Sequence, residues 1–315
     1  MEFGFSLPSR GPTASMENLR TLAQHADALG LDSVWVSDHI IVPEQIDSFY
    51  PYHPEGQFPT APEQDYLEPL TALTFLAGCT ERVQLGTSVL ILPYRNALLT
   101  AKIVSTLDKL SNGRVILGIG VGWMEEEFVA LGLDTFRQRG VVSDEYIRAF
   151  RELWTSDSPH FEGEHVCFAH IGFAPKPVRQ PPIWVGGHTK PAIRRAARLG
   201  DGWHPIGLRP PANLTPDEMR GAVAELHAEA EKAGRNPQDI TISFRGPLDI
   251  SEASGADRKP LSGSIAAIQD DIGRYTECGV SHMVFDIMAP EVAALQDGMS
   301  RFVQGAFLLK RHIVS

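Results

Sequence analysis

SVWVSDHI, Ser33 to Ile40, begins as an apolar strand and ends on Ser37, Asp38 and His39. A hydrophobic core rejects such groups unless each is partnered. Val34, Trp35 and Val36 are the β-branched and aromatic residues that favour a buried strand. The polar residues that follow at once read as the strand's end arriving at a rim where chemistry can be placed.

The same plan recurs outward in both directions. Upstream, Phe3 to Leu7 is a short apolar run, and Met16 to Leu29 carries Leu19, Leu22, Ala23, Ala26 and Leu29 on one helical face before Gly30 stops it. Downstream come a helix from Pro69 to Gly78, the run VQLGTSVLI, a helix from Asn96 to Leu110, and RVILGIGV with helical segments running to Trp154. The second half repeats this with PIWVGG, DGWHPI, ITISFR and HMVFDI, each followed by a helical pattern beginning at Pro191, Pro216, Ser264 and Pro290. Eight β/α units predict a single α/β domain over 1–315, a closed (β/α)8 barrel of the TIM type; a doubly wound sheet is the other assembly open to such units.

Three stretches are too long for tight connections. His39 to Glu68 follows strand two, Thr155 to Pro181 precedes strand five, and Gly246 to Gly263 follows strand seven. Loops of this length usually serve a site or a lid, and the loops after barrel strands lie on the active face.

Charge and composition narrow the function. A net charge of −11 and a pI near 5.5 oppose nucleic-acid and anionic-membrane partners, which both demand a basic surface. A small-molecule substrate is the expectation. Cys79, Cys167 and Cys278 are too few and too scattered for a disulfide framework, and no apolar run reaches the ~18 residues that span a bilayer. The reading is a cytoplasmic protein.

Several strands end on small or polar residues: Gly86 to Ser88, Gly118 to Trp123, Gly186 to Thr189, and Trp203 to Pro205. Turns alone favour such residues, but together the glycines would let a flat ligand approach the backbone. GIGVGW is not a dinucleotide fingerprint, because its third glycine is out of place. Gly186 and Gly187 feed a helix with Thr189 as N-cap, and a helix start binds phosphate. Lys190, Arg194 and Arg195 add local positive charge. In HVCFAH, His165, Cys167 and His170 offer three metal ligands without a fourth, on what alternates like an exposed hairpin, so no metal site is expected. Of Glu125, Glu126 and Glu127, at most one or two face a pocket, since a helix turns about 100° per residue; the rest suit a helix's first turn.

SVWVSDHI, LGTSVLILPYRNALLTAK, GRVILGIGVGWMEEEFVALG and PPIWVGGHTKPAIRRAARLGDGWHP together resemble the luciferase-like family, and most nearly its coenzyme F420-dependent oxidoreductases. The resemblance covers nearly the whole chain in order. It implies a (β/α)8 barrel with an insertion before strand five, a homodimer, and hydride transfer between the deazaflavin and an organic small molecule. It places Asp38 and His39 beside the deazaflavin ring, Ser88 and Val89 in a bulge with a non-prolyl cis peptide behind it, and Gly186, Gly187, His188 and Thr189 on the coenzyme phosphate. Where the family's sugar-phosphate dehydrogenase has a pocket glutamate, this chain has Trp123, so that substrate does not carry over.

Histidine titrates near neutral pH, which makes His39 the expected proton carrier. Asp38 would orient it or bond the ring's polar edge, and Trp123 and Trp203 would wall the substrate pocket. Two other readings share the barrel: an FMN-dependent monooxygenase, and a non-catalytic flavin-binding protein.

Overall fold

The computed structural model describes residues 1–251 and 258–312. Eight barrel strands run in chain order: β1 (Glu2–Ser6), β2 (Ser33–Val36), β3 (Gln84–Thr87), β4 (Val115–Gly120), β5 (Ile183–Gly186), β6 (Gly202–His204), β7 (Thr241–Ile250) and β8 (His282–Ile287). Each neighbouring pair is parallel, and β8 returns to β1 with Glu2 opposite His282 and Phe5 opposite Phe285, which closes the sheet. The fold is the expected (β/α)8 barrel.

The helices are α1 (Met16–Ala28), α2 (Pro69–Ala77), α3 (Ala97–Ser111), α4 (Glu125–Ala130), α5 (Arg139–Thr155), α6 (Lys190–Leu199), α7 (Pro216–Lys232), α8 (Ile265–Glu277) and α9 (Val292–His312). Their starts follow from local chemistry. Ser15, Asn96 and Ser264 each accept a backbone N–H three residues on, and Thr215 with Glu218 forms a reciprocal capping box. Among the described residues no helix is long and apolar enough to cross a membrane.

Two apolar layers result. Between strands and helices lies a continuous core that includes Phe5, Leu22, Val34, Leu73, Phe150 and Phe285. Inside the barrel sit Trp35, Ile116, Trp184 and Val284, with the two indoles stacked at 5.5 Å. A Cβ added at Gly86 would come within 2.2 Å of Trp35, and one at Gly202 within 2.5 Å of Trp184. Both strand glycines therefore make room for tryptophans, and Gly86 does not open the backbone to a flat ligand as expected.

Two boundaries also differ from expectation. VQLGTSVLI is not one strand: after Thr87 the chain breaks at Ser88 and Val89, then Leu90–Ile91 pairs alongside β4. The loop expected from Gly246 begins later, because β7 continues to Ile250 and pairs through Asp249 with Ser262 of a short strand. Residues 252–257 of that loop, and the end of the expected domain at 313–315, lie outside the described residues. The segment before β5 contains an antiparallel hairpin, Phe161–Glu162 with Cys167–Phe168. Its turn is held by Glu145, which accepts the N–H groups of Glu164, His165 and Val166. No cluster of three or more metal-ligating groups occurs among the described residues.

Candidate active site

The polar end of β2 is satisfied by partners far along the chain. Asp38, 3% exposed, receives a two-pronged bond from Arg95, with Nη1 to Oδ2 at 2.7 Å and Nη2 to Oδ1 at 2.8 Å, and accepts the Ile91 N–H at 2.9 Å. Arg95 also donates to Glu68 Oε1 at 3.0 Å. Burial raises the Asp38 acid on balance, against the pull of Arg95 and Ile91; with a guanidinium fork across both oxygens we assign it as the carboxylate.

Asp38 therefore does not orient His39. That position belongs to Glu127 of α4, whose Oε2 lies 2.5 Å from His39 Nδ1. Glu127 Oε1 accepts the N–H groups of Ile40 and Ile41 at 2.7 and 3.2 Å. Glu126 reaches outward in the same turn and accepts from Asp47 and Ser48. Two of the three consecutive glutamates thus fasten the loop after β2. Met124 at the N-cap provides no side-chain bond, and the third, Glu125, is exposed.

That loop folds an aromatic cover against His39. Phe58 lies 4.8 Å from its ring, Tyr66 5.4 Å and Trp123 6.0 Å. Tyr50 packs on Trp123 at 5.1 Å and on Phe58 at 5.2 Å. Trp123, half-buried just beyond the end of β4, thus lies beside His39. His39 Nε2 makes no hydrogen bond among the described residues.

Below this cover the barrel mouth holds a polar network. The Ser88–Val89 peptide is cis. Ser88 Oγ and carbonyl oxygen each accept from Arg245 Nη1 at 2.8 Å. His204 bridges Ser88 Oγ and Ser243 Oγ, both at 2.8 Å, and stacks on Trp35 at 4.7 Å. Burial first, then the positive charge of Arg245, holds the His204 imidazole well below the ordinary histidine range. Arg245 and Arg209 both pair with Asp286 at 2.8 Å. Burial opposes ionisation of Asp286, but the two guanidiniums outweigh it and keep its acid below the usual carboxylate range.

On the far side, Val89 faces β4 and β5. A Cβ at Gly120 would come within 2.6 Å of it, and one at Gly186 within 2.7 Å. The bulge and the start of the Gly186 to Thr189 turn are therefore in direct contact. Gly187 has φ +93°, a backbone that favours glycine. Thr189 is the N-cap of α6 but makes no side-chain capping bond, so first-turn N–H groups stay available. His188 Nδ1 is buried without a hydrogen-bond partner among the described residues, and its ring packs on Tyr52 at 6.0 Å. Burial lowers the His188 imidazole. Lys190 and Arg194 are exposed, whereas Arg195 bonds Asp144 and Gly140.

Trp203 does not wall a pocket. It is 0% exposed within the core between strands and helices, and its Nε1 donates to the Gly187 carbonyl at 2.8 Å. Strand alternation turns its neighbour His204 inward instead. Sequence reasoning also passed over Arg95, His204, Arg245 and Asp286. Single charged residues ending the apolar runs ITISFR and HMVFDI were the available signal.

A closed parallel barrel with a polar, partly aromatic C-terminal mouth defines an enzyme-type scaffold. The comparisons give its family. The sequence profile of the luciferase-like monooxygenases matches residues 1–308, and the chain belongs to that family. It is 35% identical over 231 residues, 72% of this chain and 64% of that protein, to the F420-dependent glucose-6-phosphate dehydrogenase of Amycolatopsis mediterranei. Among solved structures, the monooxygenase RslO1 of Streptomyces bottropensis superposes with a TM-score of 0.78 at 22% identity, covering 98% of this chain and 100% of that one. An F420-dependent secondary alcohol dehydrogenase in complex with an F420–acetone adduct superposes with a TM-score of 0.74 at 16% identity, covering 96% and 97%.

Proposed function

We propose that this chain is a coenzyme F420-dependent oxidoreductase, transferring hydride between the deazaflavin and an organic small-molecule substrate, with His39 carrying the proton. The observation that carries this reading is His39 itself: one ring nitrogen is held by a buried carboxylate, and the other makes no hydrogen bond among the described residues. The identity with an F420-dependent relative supports the deazaflavin over FMN.

The residues present fit such a coenzyme. A helix start with no side-chain cap and a buried His188 Nδ1 lacking a partner among the described residues suit a phosphate bound along Gly186 to Thr189. Val89 would back the ring from its position over Gly120 and Gly186. When bound, a deazaflavin supplies two-electron hydride chemistry and reacts poorly with oxygen. The chain would contribute an aromatic cover that excludes water, and a proton site at His39 Nε2.

Titrating the purified protein with the deazaflavin and with FMN, followed by tryptophan quenching, tests the coenzyme. Tighter binding of FMN would replace this reading with that of a flavin monooxygenase. His39→Ala tests the proton: coenzyme affinity should hold while hydride transfer falls roughly 10²–10⁴-fold. A near-normal rate would remove His39 from the chemistry.

A further inference from the structure

We infer that Glu127 is a positioning residue that locks His39 in its Nδ1–H tautomer, so that Nε2 is the atom available to take a proton. The inference deepens the proton-carrier reading of His39 and names the residue that makes it work.

Donors and acceptors around Glu127 decide where the shared hydrogen sits. Glu127 is 0% exposed, and four groups converge on its two oxygens. Oε1 receives the N–H groups of Ile40 and Ile41, which can only donate. Oε2 receives the Tyr94 hydroxyl at 2.9 Å and faces His39 Nδ1 at 2.5 Å. Burial, then the charge of Glu127, pushes the Tyr94 phenol upward, so it stays protonated and donates. Donors gathered on both oxygens favour the carboxylate over the acid, and a carboxylate only accepts. The hydrogen between Glu127 and His39 is therefore the imidazole's own, on Nδ1. In the neutral ring Nε2 is then a bare lone pair.

Glu127 does this from α4 while its Oε1 clamps the two residues after His39. One carboxylate thus sets the tautomer, the ring position and the start of the loop that covers the site. Asp38, the chain neighbour, is committed to Arg95.

The test uses Glu127→Gln. Its amide oxygen can still accept from Ile40 and Ile41, but its NH2 would face Nδ1 and donate. It should therefore flip the ring to Nε2–H. Long-range ¹H–¹⁵N spectra of the neutral imidazole, assigned with His39→Gln, should show Nδ1–H in the wild type and Nε2–H in Glu127→Gln. Hydride transfer in Glu127→Gln should fall by roughly 10³-fold or more, the scale seen when a catalytic triad presents the wrong tautomer, with coenzyme affinity within about threefold of wild type. A wild-type Nε2–H tautomer would overturn the inference. So would an unchanged tautomer in Glu127→Gln, whereas a switched tautomer with an unchanged rate would instead remove His39 from the chemistry. The wild-type spectrum decides the matter even if that variant fails to fold. Because it is read without coenzyme, it also stands apart from whether His39 takes part in catalysis.

Discussion

Arg245 Nη1 donates to both the carbonyl and the hydroxyl oxygen of Ser88, each at 2.8 Å. The same guanidinium bonds Asp286 and Ser6 Oγ, so one cation, its side chain 12% exposed, ties β7 and β8 to β1 and to the bulge after β3. Removing one partner of a buried ion pair strands the other. Arg245→Met should cost about 3–5 kcal/mol in denaturant unfolding, with Asp286 left to Arg209 alone. A loss below about 1 kcal/mol would show that the mouth network is dispensable.

The interior glycines make a steric prediction with a built-in contrast. Gly86→Ala would put a Cβ 2.2 Å from the Trp35 ring, inside a closed barrel where neither group can retreat, and should abolish soluble folded protein. Gly221→Ala, in α7 with nothing within 4 Å of the added Cβ, should instead stabilise by roughly 0.5–1 kcal/mol through helix propensity. Melting curves of the two variants check both directions.

Acid should destabilise the protein through His204. Its imidazole is held well below the ordinary value of 6.5 when folded, so between 6.5 and that depressed value the unfolded chain binds a proton the folded one refuses. Stability from this group is intact above 6.5 and is lost as pH falls, at up to about 1.4 kcal/mol per pH unit. His204→Gln, which keeps a side chain able to bond Ser88 and Ser243, should flatten the pH dependence of the unfolding midpoint. An unaltered slope would contradict it.

Under the proposed reading, the negative charge of the deazaflavin coenzyme should distinguish three neighbouring cations on α6. Lys190 and Arg194 are exposed, while Arg195 is engaged by Asp144. Replacing Lys190 and Arg194 together with Met should weaken deazaflavin binding by roughly tenfold and reduce its salt dependence. Arg195→Met should leave both unchanged. Quenching titrations at two salt concentrations read the difference.

Much of the fold was legible because it is written locally. Apolar runs alternating with helical periods marked all eight β/α units, and the helix starts read at Asn96 and Ser264 are fixed by side-chain bonds to residues three positions away. The polar end of β2 and the Gly-Gly-His-Thr turn were visible for the same reason. Family membership followed from these motifs in order.

The sequence by itself determined which elements form, their order, and that Asp38 and His39 stand at a strand end. It did not determine their partners. Arg95 is 57 residues from Asp38, and Glu127 is 88 from His39; only closure of the barrel brings β2, the segment after β3 and α4 to one rim. Closure likewise turned Trp203 outward and His204 inward, and set Gly86 and Gly202 against tryptophans. The physical reason is one of range: periodicity and capping act over a few residues, whereas a buried charge or histidine is assigned its partner by packing across the whole barrel.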